Sequence, residues 1–186
     1  METGHEPAAL DPAGRPPPKL HPGTQGDRRR IGRPCADRLH ALADSSPWLV
    51  WNVSASAPRG LYRIGRVAPA HGDLVLVRTP RSVARFADQR GYLPRDVPLV
   101  KHIAAMPGEH VCALHDIIII AGAIAARRLE RDRQGRPLPW WHACRRLAGD
   151  EIFLLNGDAG GSFDSRYFGP APAETIIGRL VPLWTG

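Results

Sequence analysis

Apolar positions are spaced differently at the two ends of this chain. Up to residue 45, Pro, Gly, Ala and Arg dominate, as in Arg15-Pro16-Pro17-Pro18, and no apolar period is sustained. Such a stretch buries too little apolar surface to offset its ordering entropy, so residues 1–45 read as a disordered leader with at most a short helix over 37–43. From Trp48 onward short β-type runs alternate with turn residues. Residues 48–53 form the first run and lead straight into Ser54-Ala55-Ser56-Ala57-Pro58-Arg59-Gly60-Leu61-Tyr62. Further strands are expected over 74–77 after the turn Gly72-Asp73, over 99–105 before Pro107-Gly108, over 151–156 and over 175–183. The four isoleucines at 117–120 fit a fully buried strand. Val83, Phe86 and Ala87 recur at helical spacing and predict a short helix over 82–90. The polar stretch 125–146, with the turn Gln134-Gly135-Arg136-Pro137 and Trp140-Trp141 behind it, reads as a hairpin or inserted loop. Residues 46–186 are therefore expected to be one mainly β domain, an antiparallel sheet or barrel-like core with little helix.

Charge changes this picture little. A formal net charge of +7 over 186 residues would suit nucleic acid or an anionic membrane surface. Apart from Arg28, Arg29 and Arg30, however, the arginines are scattered, and no nucleic-acid partner is expected. The scarcity of lysine is more informative. Arginine holds its proton too tightly to act as a base, so any amine-based chemistry must use Lys19 or Lys101, the two lysines present. Cys35, Cys112 and Cys144 lack metal-ligand spacing, so neither a metal site nor a cofactor is expected. Cys112 and Cys144 lie in the patterned region and are either plain thiols or, in an oxidising compartment, a disulfide. No run of eighteen apolar residues and no secretory signal pattern occurs, so read literally the chain is soluble.

Three segments carry candidate chemistry. In Ser54-x-Ser56-x-Pro58-x-Gly60 a strand ends in small residues and a proline forces a sharp exit, which would let a substrate carbonyl approach a hydroxyl; taken alone the segment is usually only a turn. In Leu99-Val100-Lys101-His102-Ile103, strand alternation groups Lys101 with Leu99 and Ile103, so its amine should be partly desolvated and its pKa lowered toward that of a general base. The competing reading is an edge lysine reaching solvent. In the third, Asn156 to Pro170, glycines bracket Asp158, Ser162, Asp164, Ser165 and Arg166, more hydrogen-bonding groups than a plain turn requires.

Together these segments resemble the boxes of bacterial type I signal peptidases. The third reads Gly-Asp-x-x-x-Ser-x-Asp-Ser-Arg-x-x-Gly without a gap at Gly157, Asp158, Ser162, Asp164, Ser165, Arg166 and Gly169, and Gly72-Asp73-Leu74-Val75 resembles a further box. Within that family the spacing Ser-x-Pro-x-Gly-Leu-Tyr is more similar to the conjugative-transfer, TraF-type peptidases. The resemblance implies a LexA-like β core with Ser56 as nucleophile and Lys101 as its base. It implies further that Ser54 shares the oxyanion site with the Ser56 N–H, that Ser162 orients the lysine amine, and that Asp164 and Arg166 brace the loop. The implied reaction is cleavage of signal or pro-peptides from exported precursors, a propilin of a conjugation system among them. That places the domain near the membrane, at the periplasmic face of the inner membrane, although the leader shows no membrane segment.

His102 invites a serine–histidine–aspartate triad, but alternation points it away from Lys101. Two other readings compete: a repressor-type serine/lysine autopeptidase, opposed by the absence of a helix-turn-helix leader, and a basic binding module without catalysis, which would be indifferent to loss of Ser56 or Lys101.

Overall fold

The computed structural model describes residues 48–186, so the expected leader, its 37–43 helix, Lys19 and Cys35 lie outside the described residues. Two antiparallel sheets dominate. The first runs in the order β1-β2-β11-β3-β4-β9-β10, with β1 Leu49–Asn52, β2 Gly60–Gly65, β3 Leu74–Val77, β4 Leu99–Ala105, β9 Glu151–Leu155, β10 Ala171–Pro172 and β11 Ile176–Thr185. The second runs β7-β6-β5-β8, with β5 His110–Leu114, β6 Ile117–Ile120, β7 Ala123–Arg127 and β8 Cys144–Arg146. Register shifts in β11 at Pro182/Trp184 and at Ile176/Gly178, and along β4–β9 at Ile103/Ala105, are bulges of the kind that strengthen twist, and the larger sheet curls into a half-barrel.

Side-chain alternation explains the layering. Val75, Val77, Leu99, Ile103, Ile152 and Leu154 form one buried cluster, while Leu76 of the same β3 joins Tyr62, Ile64 and Leu180 in another. β9 is buried on both faces: Ile152 and Leu154 belong to the first cluster, and Phe153 and Leu155 pack with Ile118, Ile120, Val111 and Ala126 beneath the smaller sheet. An almost continuous apolar run is what such a doubly covered strand requires. Burying each of these large side chains contributes about 1.5–3 kcal/mol.

The isoleucine run departs from its expected full burial. Ile118 and Ile120 are buried whereas Ile117 and Ile119 are half-buried, because only one face of β6 meets the core. The polar stretch is a loop between β7 and β8 with a bridge between Arg131 and Pro137. Its turn is closed by Asp132 N–H to Arg136 O at 2.9 Å, and Asp132 Oδ1 accepts from the N–H groups of Gln134 and Arg136.

Helix α1, Arg81–Gln89, buries Ala84 and Ala87, and α2 is the single turn Ser165–Phe168. Gly169 ends α2 at φ 79°, where a Cβ would stand 2.5 Å from the Trp141 ring, so only glycine fits. No helix among the described residues is long and apolar enough to cross a membrane.

Candidate active site

The serine box is the connection between β1 and β2. Asn52, paired with Gly60 at the mouth of this hairpin, is only 5% exposed. Its Nδ2 donates to the carbonyls of Ser54, Ala57 and Pro58 at 3.1, 3.1 and 3.0 Å, and its Oδ1 accepts from the Ser54 N–H at 3.1 Å. The Tyr62 hydroxyl donates to the Pro58 carbonyl at 2.6 Å. On the far side β11 presses on the loop's exit: a Cβ on Gly60 would lie 2.0 Å from the Trp184 carbonyl oxygen, so the strand approaches as closely as it does because residue 60 is glycine. Within the loop, Ser54 Oγ and Ser56 Oγ are 2.9 Å apart and share a hydrogen bond. Ser54 is exposed and Ser56 half-buried.

Lys101 sits mid-strand in β4 on the inward face with Leu99 and Ile103, and is 3% exposed. Alternation leaves His102 exposed, its Nδ1 bonded to the Gly72 carbonyl at 3.0 Å. The lysine amine donates to Ser162 Oγ at 2.7 Å. Burial lowers its pKa from 10.5 to about 8; Asp164 pulls the other way, and Arg166 adds to the lowering. Asn156, at the end of β9, holds the backbone on either side of this lysine: its Nδ2 donates to the Val100 carbonyl at 3.0 Å and its Oδ1 accepts from the His102 N–H at 3.2 Å.

The third segment is organised by a fully buried ion pair. Arg166 Nε meets Asp164 Oδ1 at 2.8 Å and Arg166 Nη2 meets Asp164 Oδ2 at 2.8 Å, with both residues 0% exposed. The same guanidinium donates to the carbonyls of Arg127, Ala159 and Ser162 at 3.1, 2.9 and 3.1 Å. Asp164 also caps α2, accepting from the Arg166 N–H, and takes the Asn156 N–H at 3.2 Å. Bidentate geometry with the remaining polar atoms occupied is what makes a buried pair tolerable. Phe163, between Ser162 and Asp164, lies against Phe86, Tyr92, Tyr167 and Phe168 with ring centroids 5.3–5.8 Å apart, so α1 and α2 grip the residue next to the lysine's partner.

The sequence-predicted residues thus fall into linked groups: Ser54 with Ser56, Lys101 with Ser162, and Asp164 with Arg166. Among the described residues no hydrogen bond joins Ser56 to Lys101. Asn52, Asn156 and Phe163 were not foreseen; an asparagine on the last turnward position of a strand was the available signal for Asn52. Cys112 and Cys144, directly opposed on β5 and β8, form a disulfide. Among the described residues the one trio placed to ligate a metal is His110 with these two cysteines, and the disulfide occupies both sulfurs.

Comparison with known proteins agrees with the family resemblance of the sequence. Residues 39–184 match the family described as signal peptidase, peptidase S26. The chain is 35% identical over 170 residues to a protein of Sinorhizobium fredii NGR234 named as a probable conjugal transfer protein TraF, covering 81% of this chain and 89% of that one. It is 33% identical over 149 residues to the conjugal transfer protein TraF of Agrobacterium fabrum C58 and 30% identical over 145 residues to a plasmid transfer protein TraF of Escherichia coli, each covering 72% of this chain and 81% of the relative. A signal peptidase I of Enterococcus faecalis V583 aligns in structure at 18% identity with a TM-score of 0.39, over 63% of this chain and all of that one. With the family match spanning most of its length, the chain belongs to the S26 signal peptidase family.

Proposed function

We propose that this protein is a serine endopeptidase in which Ser56 attacks and Lys101 is the base, and that it removes signal or pro-peptides from exported precursors. The observation that carries the reading is the Lys101 amine: buried, lowered to about 8 and held by Ser162 Oγ, it is neutral in a useful fraction of molecules near neutral pH. In the reaction Ser56 Oγ adds to the scissile carbonyl carbon while its proton passes to Lys101 Nζ. Collapse of the tetrahedral species breaks the C–N bond, and Lys101 returns that proton to the departing amine. Water, deprotonated by the same amine, then hydrolyses the ester on Ser56 and restores both groups. Ser54 Oγ, beside Ser56, and the Ser56 N–H are the donors for the oxyanion, whose charge exists only in the transition state. Serine–base contacts are commonly longer in the free enzyme than with substrate bound, so the missing Ser56–Lys101 hydrogen bond is compatible with this chemistry.

The names of its relatives support a conjugation role; a propilin of such a system is the precursor proposed here. Membrane proximity is supported by the apolar surface flanking the serine loop: Trp48, Leu49, Trp51, Val53, Leu183 and Trp184 are all more than half exposed, and Trp51 stacks on Trp184 at 5.6 Å. We propose the periplasmic face of the inner membrane as its location, the exposed apolar residues and the conjugal-transfer relatives supporting the coarser statement that it is associated with the envelope.

The test is processing of co-expressed exported precursors, pilin candidates included, by the wild type, Ser56→Ala, Lys101→Ala and Ser54→Ala. Loss of cleavage in the first two variants with mere slowing in the third is expected. Cleavage that survives Ser56→Ala would overturn the assignment.

A further inference from the structure

A loop of small residues cannot hold its own shape. Between Asn52 and Gly60 the chain reads Val-Ser-Ala-Ser-Ala-Pro-Arg, and nothing in that run has both the bulk to anchor it and a buried position from which to do so. Its small side chains leave room for a substrate, yet attack requires the hydroxyl to be held within a fraction of an ångström of its reacting position. The buried amide of Asn52 resolves the conflict. It bonds the backbone at Ser54 on both its N–H and its carbonyl, and at Ala57 and Pro58 on their carbonyls, so it grips the chain on each side of Ser56. The Tyr62 hydroxyl braces the same Pro58 carbonyl from β2.

We propose that Asn52 is a positioning residue for the reaction: it sets the loop so that Ser56 and Ser54 present the nucleophile and the oxyanion donor together. The inference rests on the reading of Ser56 as nucleophile. An amide suits this position because its two N–H groups reach three carbonyls, one hydrogen being shared, while its oxygen accepts from the Ser54 N–H. An aspartate has nearly the same shape but turns an oxygen toward those carbonyls, and a serine is too short to span them.

The experiment uses the full chain and an internally quenched peptide with alanines on alternate positions before the scissile bond. Steady-state kinetics and thermal unfolding are measured for the wild type, Ser56→Ala, Asn52→Asp and Asn52→Ser, each assayed well below its own Tm. The expected result is a kcat about 100-fold lower in both Asn52 variants, the cost of a misplacement of about 1 Å. KM should stay within about twofold, because the Asn52 amide is buried and bonded to loop backbone and so is not itself open to a bound peptide, whereas a general loss of folded protein would leave the kcat per folded molecule unchanged. Wild-type kcat in the Asn52 variants while Ser56→Ala is dead would overturn this inference alone. A wild type no faster than Ser56→Ala would overturn the Ser56 assignment and this inference with it. Failure of both Asn52 variants to fold would show the amide to be a requirement of folding and would also overturn the positioning role.

Discussion

Lys101 Nζ donates a 2.7 Å hydrogen bond to Ser162 Oγ across 61 positions of sequence, and both residues are buried. That one contact joins the mid-strand amine of β4 to the loop after β9. Alternation turns Lys101 inward, but its pairing with Ser162 is made only when the loop after β9 closes over β4.

The lowered lysine predicts the pH profile. With Lys101 at about 8, the reactive neutral fraction grows roughly tenfold per pH unit below that value and levels above it, so kcat/KM should rise to a plateau with an apparent pKa near 8. Initial rates between pH 6 and 10 check this.

The same shift has a consequence for stability. Folded Lys101 titrates near 8 and the unfolded side chain at 10.5, so between these values the unfolded state holds more protons and stability rises with pH. Below pH 8 both states are protonated and the cost of burying the charge is present in full, on the order of 3 kcal/mol. Lys101→Met should therefore be inactive yet unfold at higher temperature than the wild type at pH 6, with the difference shrinking toward pH 10; calorimetry across that range decides it.

Ser162→Ala removes the acceptor that aims the amine. Activity should fall about 10- to 100-fold, the rate equivalent of losing a buried hydrogen bond of about 1.5–3 kcal/mol, while the fold persists. Circular dichroism beside the cleavage assay separates the two effects.

Arg166→Ala should act in the opposite way. It strands a fully buried Asp164 carboxylate and frees the carbonyls of Arg127, Ala159 and Ser162, at a cost of about 3–5 kcal/mol. Denaturant titration should show the midpoint falling well before any kinetic change is interpretable.

The disulfide offers a control remote from the chemistry. Cys112 and Cys144 close a separation of 32 residues and tie β5 to β8 at the edge of the smaller sheet. Replacing both with alanine should cost about 2–4 kcal/mol and leave low-temperature cleavage unchanged, read by thermal unfolding and peptide assay in parallel.

Much of this was legible in the chain itself. Short apolar runs punctuated by Gly and Pro announced antiparallel strands, because the two-residue period of a strand is written directly in side-chain order. The same alternation put Lys101 inward and His102 outward, since neighbouring side chains on a strand must face opposite ways. What alternation could not supply was coverage. Ile117 and Ile119 read as buried but meet no core, because whether a second face is covered depends on which other elements arrive there.

The site shows the same division. The order and spacing of Ser54, Ser56, Lys101, Ser162, Asp164 and Arg166 were readable, since a chemical motif is a matter of residue types at intervals. The tertiary structure alone decided that Asn52 folds the serine loop, that Asn156 brackets Lys101, and that Phe163 anchors the loop carrying Ser162. The reason is physical. A side-chain amide gains its role from the particular carbonyls and N–H groups left unpaired around it, and those are created only when distant strands close upon one another.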